Sequence, residues 1–353
     1  MGSKTAALPK KLQNAITERM RQSLLKGDTP FDKARLADAA SFVGALAADR
    51  TFGRSSMAIE SISDERRLTR IAIVNDDMPF IVDSVAATIA ALGLSIDRLV
   101  HPVIPVERDD KGRLTGIPDN DPDDAYWESM IYIEAARVDA KTRRQLQESL
   151  KETLADVRVA VSDWSKLQQA MTQDADRIRN TDEEGADLLD WLNSGMLTQL
   201  GHVTRHRDGT QRDELGICRK SARELLAEAS YERAFAWFAK RDNRRRPLII
   251  KANHHSNVHR RVPLDLLIVP IQEGGETIAL SVHAGVWTSA ALAAPPRNVP
   301  RLRRELETLR ERHGFDDTGH AGKALVHALT TLPHDLLIGF SESDVERVAT
   351  TMM

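Results

Sequence analysis

A short acidic turn, Asn75-Asp-Asp-Met-Pro-Phe80, carries residue types suited to binding a small charged ligand. It follows the apolar segment RIAIV and precedes an amphipathic segment, so it marks a change from strand to helix. A helix that begins here offers unpaired backbone N–H groups and a positive dipole end, which suit a carboxylate. Asp76 or Asp77 would then face an ammonium group. The pattern predicts an effector site for a molecule such as an amino acid, formed by Asp76, Asp77, Met78, Pro79 and Phe80.

The same turn also has a purely structural interpretation. Asp77 is a natural N-cap, Pro79 would rigidify the first helical turn, and Phe80 would pack in the core. The helix is predicted to run from Pro79 to Leu92 and to end at Gly93 in a left-handed cap. Because capping alone accounts for these residue types, the effector site and the structural turn both stay open.

Three other segments contain reactive or charged side chains. HHSNVH places His254, His255 and His259 close together, but carboxylate ligands at fixed spacing are missing, so a structured turn is favoured over a metal site. The basic run KRDNRRRP (240–247) has no interleaved aromatic residues, which favours a solvated helix end over a nucleic-acid site. The single cysteine, Cys218, is interpreted as a buried structural thiol.

Sequence motifs of common enzyme classes are missing from the chain. GxGxxG and GxxxxGK[ST], which bring backbone N–H groups to phosphates, do not occur. Neither do GxSxG or HExxH, which mark acyl transfer and zinc hydrolysis. The chain is therefore predicted to be non-catalytic, with no catalytic, cofactor-binding or metal-binding residue of its own.

Composition limits the class of protein. The chain has 353 residues, 41% hydrophobic and 29% charged, which is enough for two or more soluble domains. A formal charge of -3 predicts no general attraction to nucleic acid or to anionic membranes. No apolar run reaches the length of a membrane span, and one cysteine excludes a disulfide framework. A reducing cytoplasm is the predicted location.

Periodicity divides the chain into four segments. Residues 1–56 are predicted to be a helical lead-in and 295–353 a helical end. Residues 57–165 alternate strands with helices, including strands at 57–62, 70–74 and 129–138 and a charged helix at 139–164. Residues 166–294 contain further strands at 247–253, 262–272 and 277–288. Tight turns at 109–112 and 274–275 predict antiparallel sheets, because parallel strands need long crossovers.

An ordered series of motifs across residues 58–345 resembles the N-terminal region of the large bacterial NAD-dependent glutamate dehydrogenases. The series is RIAIVNDDMPFIVDSV, HPVIPVERDDKG, DWLNSGMLTQLGH, ELGICR, KANHHSNVHRRVPLD and PPRNVPRLRRELETL. An ordered series is more specific than any single motif.

The resemblance implies an α+β fold. An ACT-like (ferredoxin-like) α/β sandwich would occupy 57–165, a PAS-like sensor domain with an antiparallel sheet would occupy 166–294, and helical segments would lie at both ends. In that family this region is non-catalytic, while glutamate oxidation and NAD binding belong to a dehydrogenase core further along.

The resemblance also implies a function. The chain would be a regulatory or assembly region that senses an amino acid or a similar small effector. It would hold no cofactor, and it would form a homo-oligomer or associate with a dehydrogenase core. The alternative is a free-standing amino-acid sensor that acts on another partner.

Overall fold

The computed structural model describes residues 8–24, 31–63, 67–119, 125–219, 225–240, 246–316 and 319–353. Most of the basic run at 240–247 lies outside these residues. The described residues form twelve α-helices and two antiparallel sheets, which confirms the α+β class. Two compact units are present: Met1–Val157 with Asn257–Arg261, and Arg158–Ser256 with Val262–Met353. None of the described helices is both long and apolar enough to span a membrane.

The first unit contains one antiparallel sheet with helices on both faces. The sheet order is β1-β2-β6-β4-β5, and β3 also pairs with β6. The elements in chain order are α1 (Lys10–Gln22), α2 (Lys33–Ala47), β1 (Ser56–Ser61), β2 (Leu68–Asp76), α3 (Ile81–Ala91), β3 (Ile96–Val100), β4 (Val103–Arg108), β5 (Leu114–Gly116), β6 (Tyr126–Ala136) and α4 (Ala140–Ser162).

The strands of this sheet have a ferredoxin-like order, except that the strand at one edge comes from the N-terminal side of the unit. β2, α3, β3 with β4, β6 and α4 follow the β-α-β-β-α sequence of that fold. The next described strand after α4 belongs to the second sheet. β1 instead pairs with the free edge of β2, with Ser56 opposite Val74 and Ser61 opposite Thr69. The fourth place of the ferredoxin-like sheet is therefore filled by a segment that precedes it in the chain.

β2 is buried on both faces, which explains its continuous apolar run. Ile71 and Ile73 pack in one core with residues of α3 and α4. Ala72 and Val74 pack in the opposite core with residues of α1 and α2. The predicted helical lead-in is therefore the second covering layer of this sheet.

The second unit contains a five-stranded antiparallel sheet of order β8-β7-β11-β10-β9. Its elements are α5 (Trp164–Arg179), α6 (Glu183–Trp191), a π-helical turn (Leu192–Met196), β7 (Leu197–His206), β8 (Gln211–Gly216), α7 (Glu228–Ala239), β9 (Leu248–His255), β10 (Pro263–Glu273) and β11 (Glu276–Trp287), followed by α8 (Ser289–Leu292), a 3-10 turn (Pro296–Asn298), α9 (Leu302–His313), α10 (His320–Thr331), α11 (His334–Leu337) and α12 (Glu342–Met352). The predicted antiparallel sheet and helical end are confirmed, while the sensor role of this unit stays a prediction.

One apolar core joins this sheet to its helices. Leu197, Leu267 and Trp287 from the strands are buried with residues of α5, α6, α9, α10 and α12. The buried stripe of α5 includes Met171, Asp174, Ala175 and Ile178, so Asp174 is the one carboxylate on an otherwise apolar helix face.

Candidate effector site

The acidic turn lies between β2 and α3, as its sequence predicts, but the helix begins later than expected. Phe80 is the N-cap residue, and its φ of 69° is left-handed. A residue in that conformation cannot be part of a right-handed helix. The predicted start at Pro79 is therefore wrong, and the helix starts at Ile81. The predicted left-handed ending at Gly93 is confirmed by a φ of 73°.

Asp77 is not the helix cap. Phe80 holds the cap position, and its own side chain makes no capping hydrogen bond. The N–H of Asp77 donates to the carbonyl of Trp127 (2.9 Å), so this residue still pairs with β6. Its Oδ1 accepts a hydrogen bond from the Ser129 hydroxyl (2.6 Å). Asp77 is exposed, and in the described part of the chain Ser129 is the only hydrogen-bond partner of its carboxylate.

His101 extends this group. Its Nε2 lies 2.9 Å from the Ser129 hydroxyl oxygen. Burial lowers the pKa of His101, and the charge of Asp77 opposes this shift. His101 is therefore neutral at pH 7. The Ser129 hydroxyl therefore orients the exposed carboxylate of Asp77, and the neutral imidazole of His101 contacts the same hydroxyl.

Asp76 has a different environment. It is the last residue of β2 and is largely buried. Its Oδ1 accepts hydrogen bonds from Nη2 of Arg50 (2.8 Å) and from the Tyr126 hydroxyl. The negative charge of Asp76 is therefore matched by a cation from the protein itself. Of the two predicted acidic residues, Asp77 is the one with an exposed carboxylate.

Arg50 belongs to a buried network that holds this end of the sheet together. Its guanidinium donates to Glu128 (2.6 and 3.0 Å), and both side chains are fully buried. Arg108 donates to both oxygens of the same carboxylate (2.7 Å each). Two guanidinium groups and two carboxylates thus balance in charge. Such geometry is required for ions to be buried without a large net penalty.

Phe80 lies against His259, which belongs to the first unit. The ring centroids are 5.1 Å apart. The N–H of His259 donates to Ser84 Oγ (2.8 Å), and that hydroxyl donates to the carbonyl of Phe80 (2.6 Å). Met78 and Phe80 are partly buried, and Pro79 is exposed. The aromatic pair and the hydroxyl fix the backbone at the start of α3.

The histidines of HHSNVH do not form a ligand group in the described residues. His254 and His255 are exposed at the end of β9, whereas His259 contacts Phe80. The group of metal-ligand type that the described residues do contain is Asp174, His202 and His283. Nothing in the local sequence around these three residues marks them as a set.

Cys218 is buried, as predicted for a structural thiol. Burial raises the pKa of its thiol, and the charge of Glu214 adds to this shift. The reactive thiolate is therefore not populated at neutral pH.

Parts of both units are similar to known proteins. Residues 34–150 match the family model of the glutamate dehydrogenase ACT1 domain, and residues 299–353 match that of glutamate dehydrogenase helical motif 1. An NAD-specific glutamate dehydrogenase of Halomonas elongata is 30% identical over 313 residues, which cover 81% of this chain and 19% of the relative. One of Pseudomonas aeruginosa is 28% identical over 291 residues, which cover 76% of this chain and 18% of the relative.

The chain thus spans about a fifth of the length of the relatives it matches. The ACT1 match covers β1 to β6 of the first sheet, and the helical motif 1 match covers α9 to α12 at the helical end. The resemblance indicated by the ordered motifs is confirmed: the chain carries regions that match the ACT1 domain and helical motif 1, and it resembles the N-terminal region of the NAD-specific glutamate dehydrogenases.

Proposed function

We propose that this chain is a regulatory region that binds a small effector, an amino acid, at the turn formed by Asp76, Asp77, Met78, Pro79 and Phe80. The observation that carries the proposal is the exposed carboxylate of Asp77, held by Ser129 beside the first turn of α3. A match to an ACT1 domain over residues 34–150 supports this assignment.

The chemistry of the turn suits both charges of an amino acid. The first N–H groups of α3 have no partner within the helix and favour the ligand carboxylate. The carboxylate of Asp77 would accept from the ligand ammonium, since buried ligand charges need partners. Asp76 would support the site without contacting the ligand ammonium, because its Oδ1 already accepts hydrogen bonds from Arg50 and Tyr126. Phe80 and His259 would provide the apolar wall for the ligand side chain.

We propose that the regulated reaction is the NAD-dependent oxidative deamination of glutamate to 2-oxoglutarate. This reaction is supported by the similarity of the chain to two NAD-specific glutamate dehydrogenases. The chemistry would take place in a dehydrogenase core that also binds NAD, so this chain supplies no catalytic residue and no cofactor site. The partners would be a second copy of the chain or that core, in the cytoplasm.

A thermal-shift screen of the purified chain against individual amino acids tests the binding proposal. A ligand that binds only the folded state adds about 2.7 kcal/mol to the free energy of unfolding at 100 times its Kd. We expect one amino acid, or a small related set, to raise the melting temperature. If none does so at millimolar concentration, the effector role is wrong.

A separate assay tests the non-catalytic role. The purified chain, mixed with glutamate and NAD, should form no more NADH than a heat-killed control. NADH formation that depends on the folded chain would contradict this. If an amino acid binds but the gene encodes no dehydrogenase core in frame, the free-standing sensor is favoured instead.

A further inference from the structure

Three buried polar residues meet on one face of the second sheet. His202 in β7 and His283 in β11 are direct cross-strand partners, and their ring centroids are 4.7 Å apart. Asp174 in α5 lies over them, with its Oδ2 2.6 Å from Nε2 of His283. The exposed fraction of each residue is 4% or less. One ligand-type atom of each lies within 4.8 Å of those of the other two.

The hydrogen bonds in this cluster require more protons than its neutral groups supply. Ser281 Oγ contacts both Asp174 Oδ2 and Nε2 of His202 (2.9 Å). Nδ1 of His202 lies 3.0 Å from the carbonyl oxygen of Asp213, which can only accept. These three contacts need three protons. The hydroxyl and a neutral imidazole supply one each.

A second feature also points to a ligand. Nδ1 of His283 is buried and has no hydrogen-bond partner in the described part of the chain. A buried polar atom left unpaired costs about 1–3 kcal/mol. Hydrogen bonding within the protein therefore does not account for this imidazole completely.

We propose that Asp174, His202 and His283 bind a divalent transition-metal ion, with zinc as the best match. Two imidazoles and one carboxylate form a ligand set typical of zinc, which binds His nitrogen at 2.0–2.1 Å. Tetrahedral geometry would place ligand atoms about 3.3 Å apart. In the structure the three ligand atoms lie within 4.8 Å of one another. Oδ1 of Asp174 already accepts a hydrogen bond from Arg177, so the ion would bind through Oδ2. A cation between Nε2 of His202 and this oxygen removes the need for the missing proton.

The surroundings of His202 suit a metal ligand. Its Nδ1–H donates to the carbonyl of Asp213, which orients the ring as in many metal sites. The register between β7 and β8 shifts between His202 and Thr204, and Asp213 has a left-handed φ of 55°. This bulge turns the Asp213 carbonyl towards the imidazole. Bulges of this kind are common beside functional sites.

The cluster borders a cleft in the second unit. Asp174, His202 and Ser281 line this cleft, whose volume is about 550 Å³, together with Lys166, Arg177 and Arg212. Three protein ligands would leave one tetrahedral position for a further ligand. An open position of this type distinguishes the site from a closed structural zinc site.

Zinc titration of the full chain tests this proposal. After chelator treatment and dialysis, calorimetry should show one zinc ion bound per chain. His202→Gln and His283→Gln should each weaken binding by at least about tenfold. The matched control is His254→Gln/His255→Gln, which removes two exposed histidines and should bind zinc as the parent does.

A measurement on the parent chain covers the case in which the variants do not fold. Cobalt added to the metal-free parent should give the intense visible absorption of tetrahedral coordination, and one equivalent of zinc should abolish it. The proposal is overturned if the parent takes up no zinc. It is equally overturned if the folded His202 and His283 variants bind zinc like the parent, or if only the control loses binding.

Discussion

Nη2 of Arg50 lies 2.6 Å from Oε1 of Glu128, and neither side chain is exposed to solvent. The same guanidinium contacts Asp76 at 2.8 Å, so one buried cation links β6 to the end of β2. Asp76 is the last residue of β2, so the acidic turn leaves the sheet directly after this contact. Asp76 is buried, whereas Asp77 is exposed.

Replacement of Arg50 should destabilise the first unit strongly. Arg50→Met leaves buried carboxylates short of a cation, which costs about 3–5 kcal/mol in the free energy of unfolding. Urea unfolding followed by circular dichroism measures this loss. Arg21→Ala is the control, because Arg21 pairs with Glu18 at the exposed surface and its loss should not move the midpoint. Equal midpoints for Arg50→Met and the parent would contradict a stabilising role for the network.

The two acidic residues of the turn should differ in their effect on stability. Asp76→Asn weakens charge-assisted hydrogen bonds in the buried network, which costs about 2 kcal/mol. Asp77→Asn should leave the unfolding midpoint unchanged, because Asp77 is exposed and does not cap α3. Thermal and urea unfolding of both variants measure the difference. A marked loss of stability in Asp77→Asn would restore the capping interpretation.

The left-handed backbone of Phe80 gives a matched pair of variants. Phe80→Gly and Phe80→Ala both remove the ring that contacts His259. Glycine adopts a positive φ without strain, whereas alanine pays a penalty of about 1 kcal/mol. We therefore expect the glycine variant to be the more stable of the two by that amount in urea unfolding. If the alanine variant is as stable, the helix does not begin with a left-handed residue.

His101 should make the first unit sensitive to mildly acidic pH. Burial lowers the pKa of His101 in the folded state below its unfolded value of about 6.5, so the neutral form is favoured by folding. The corresponding stability is present above pH 6.5 and is lost as the pH falls through the folded pKa. Between about pH 7.5 and pH 5.5, the melting temperature of the parent should fall more than that of His101→Gln. Equal decreases would show that His101 does not titrate differently in the two states.

Local sequence patterns predicted most of the elements. Alternating apolar residues and glycine turns identified β1, β2 and β6 in the first sheet and β9, β10 and β11 in the second, because side-chain periodicity and turn chemistry are local properties. The place of β1 was not predictable in this way. Any strand with a suitable apolar face could pair with the free edge of β2. Only tertiary packing selects β1, a segment that precedes β2 in the chain.

Local patterns also identified the acidic turn but not the roles of its residues. Arg50 precedes Asp76 by 26 positions and Glu128 by 78, so no local spacing indicates that they are partners. Asp77 was assigned as a cap because its residue type suits that role. The structure shows that its N–H still pairs with β6.

The Asp174, His202 and His283 cluster was missed for the same reason. His202 and His283 meet only because β7 pairs with β11. A usable signal was nevertheless present within β11. Ser281 and His283 share the strand face of the buried Trp287, and polar residues at positions that point into a core require a partner.

Titration of the amino acid found by the thermal-shift screen into the parent, Asp77→Asn and Asp97→Asn tests the central claim most directly. Asp97 is an exposed carboxylate in β3 of the same unit, so Asp97→Asn controls for the general loss of one negative charge. If the ligand ammonium meets Asp77, Asp77→Asn should bind at least about tenfold more weakly, the loss of one charge-assisted hydrogen bond, while Asp97→Asn binds like the parent. Equal affinity of Asp77→Asn and the parent, with both chains folded, would contradict the assignment of this turn as the effector site.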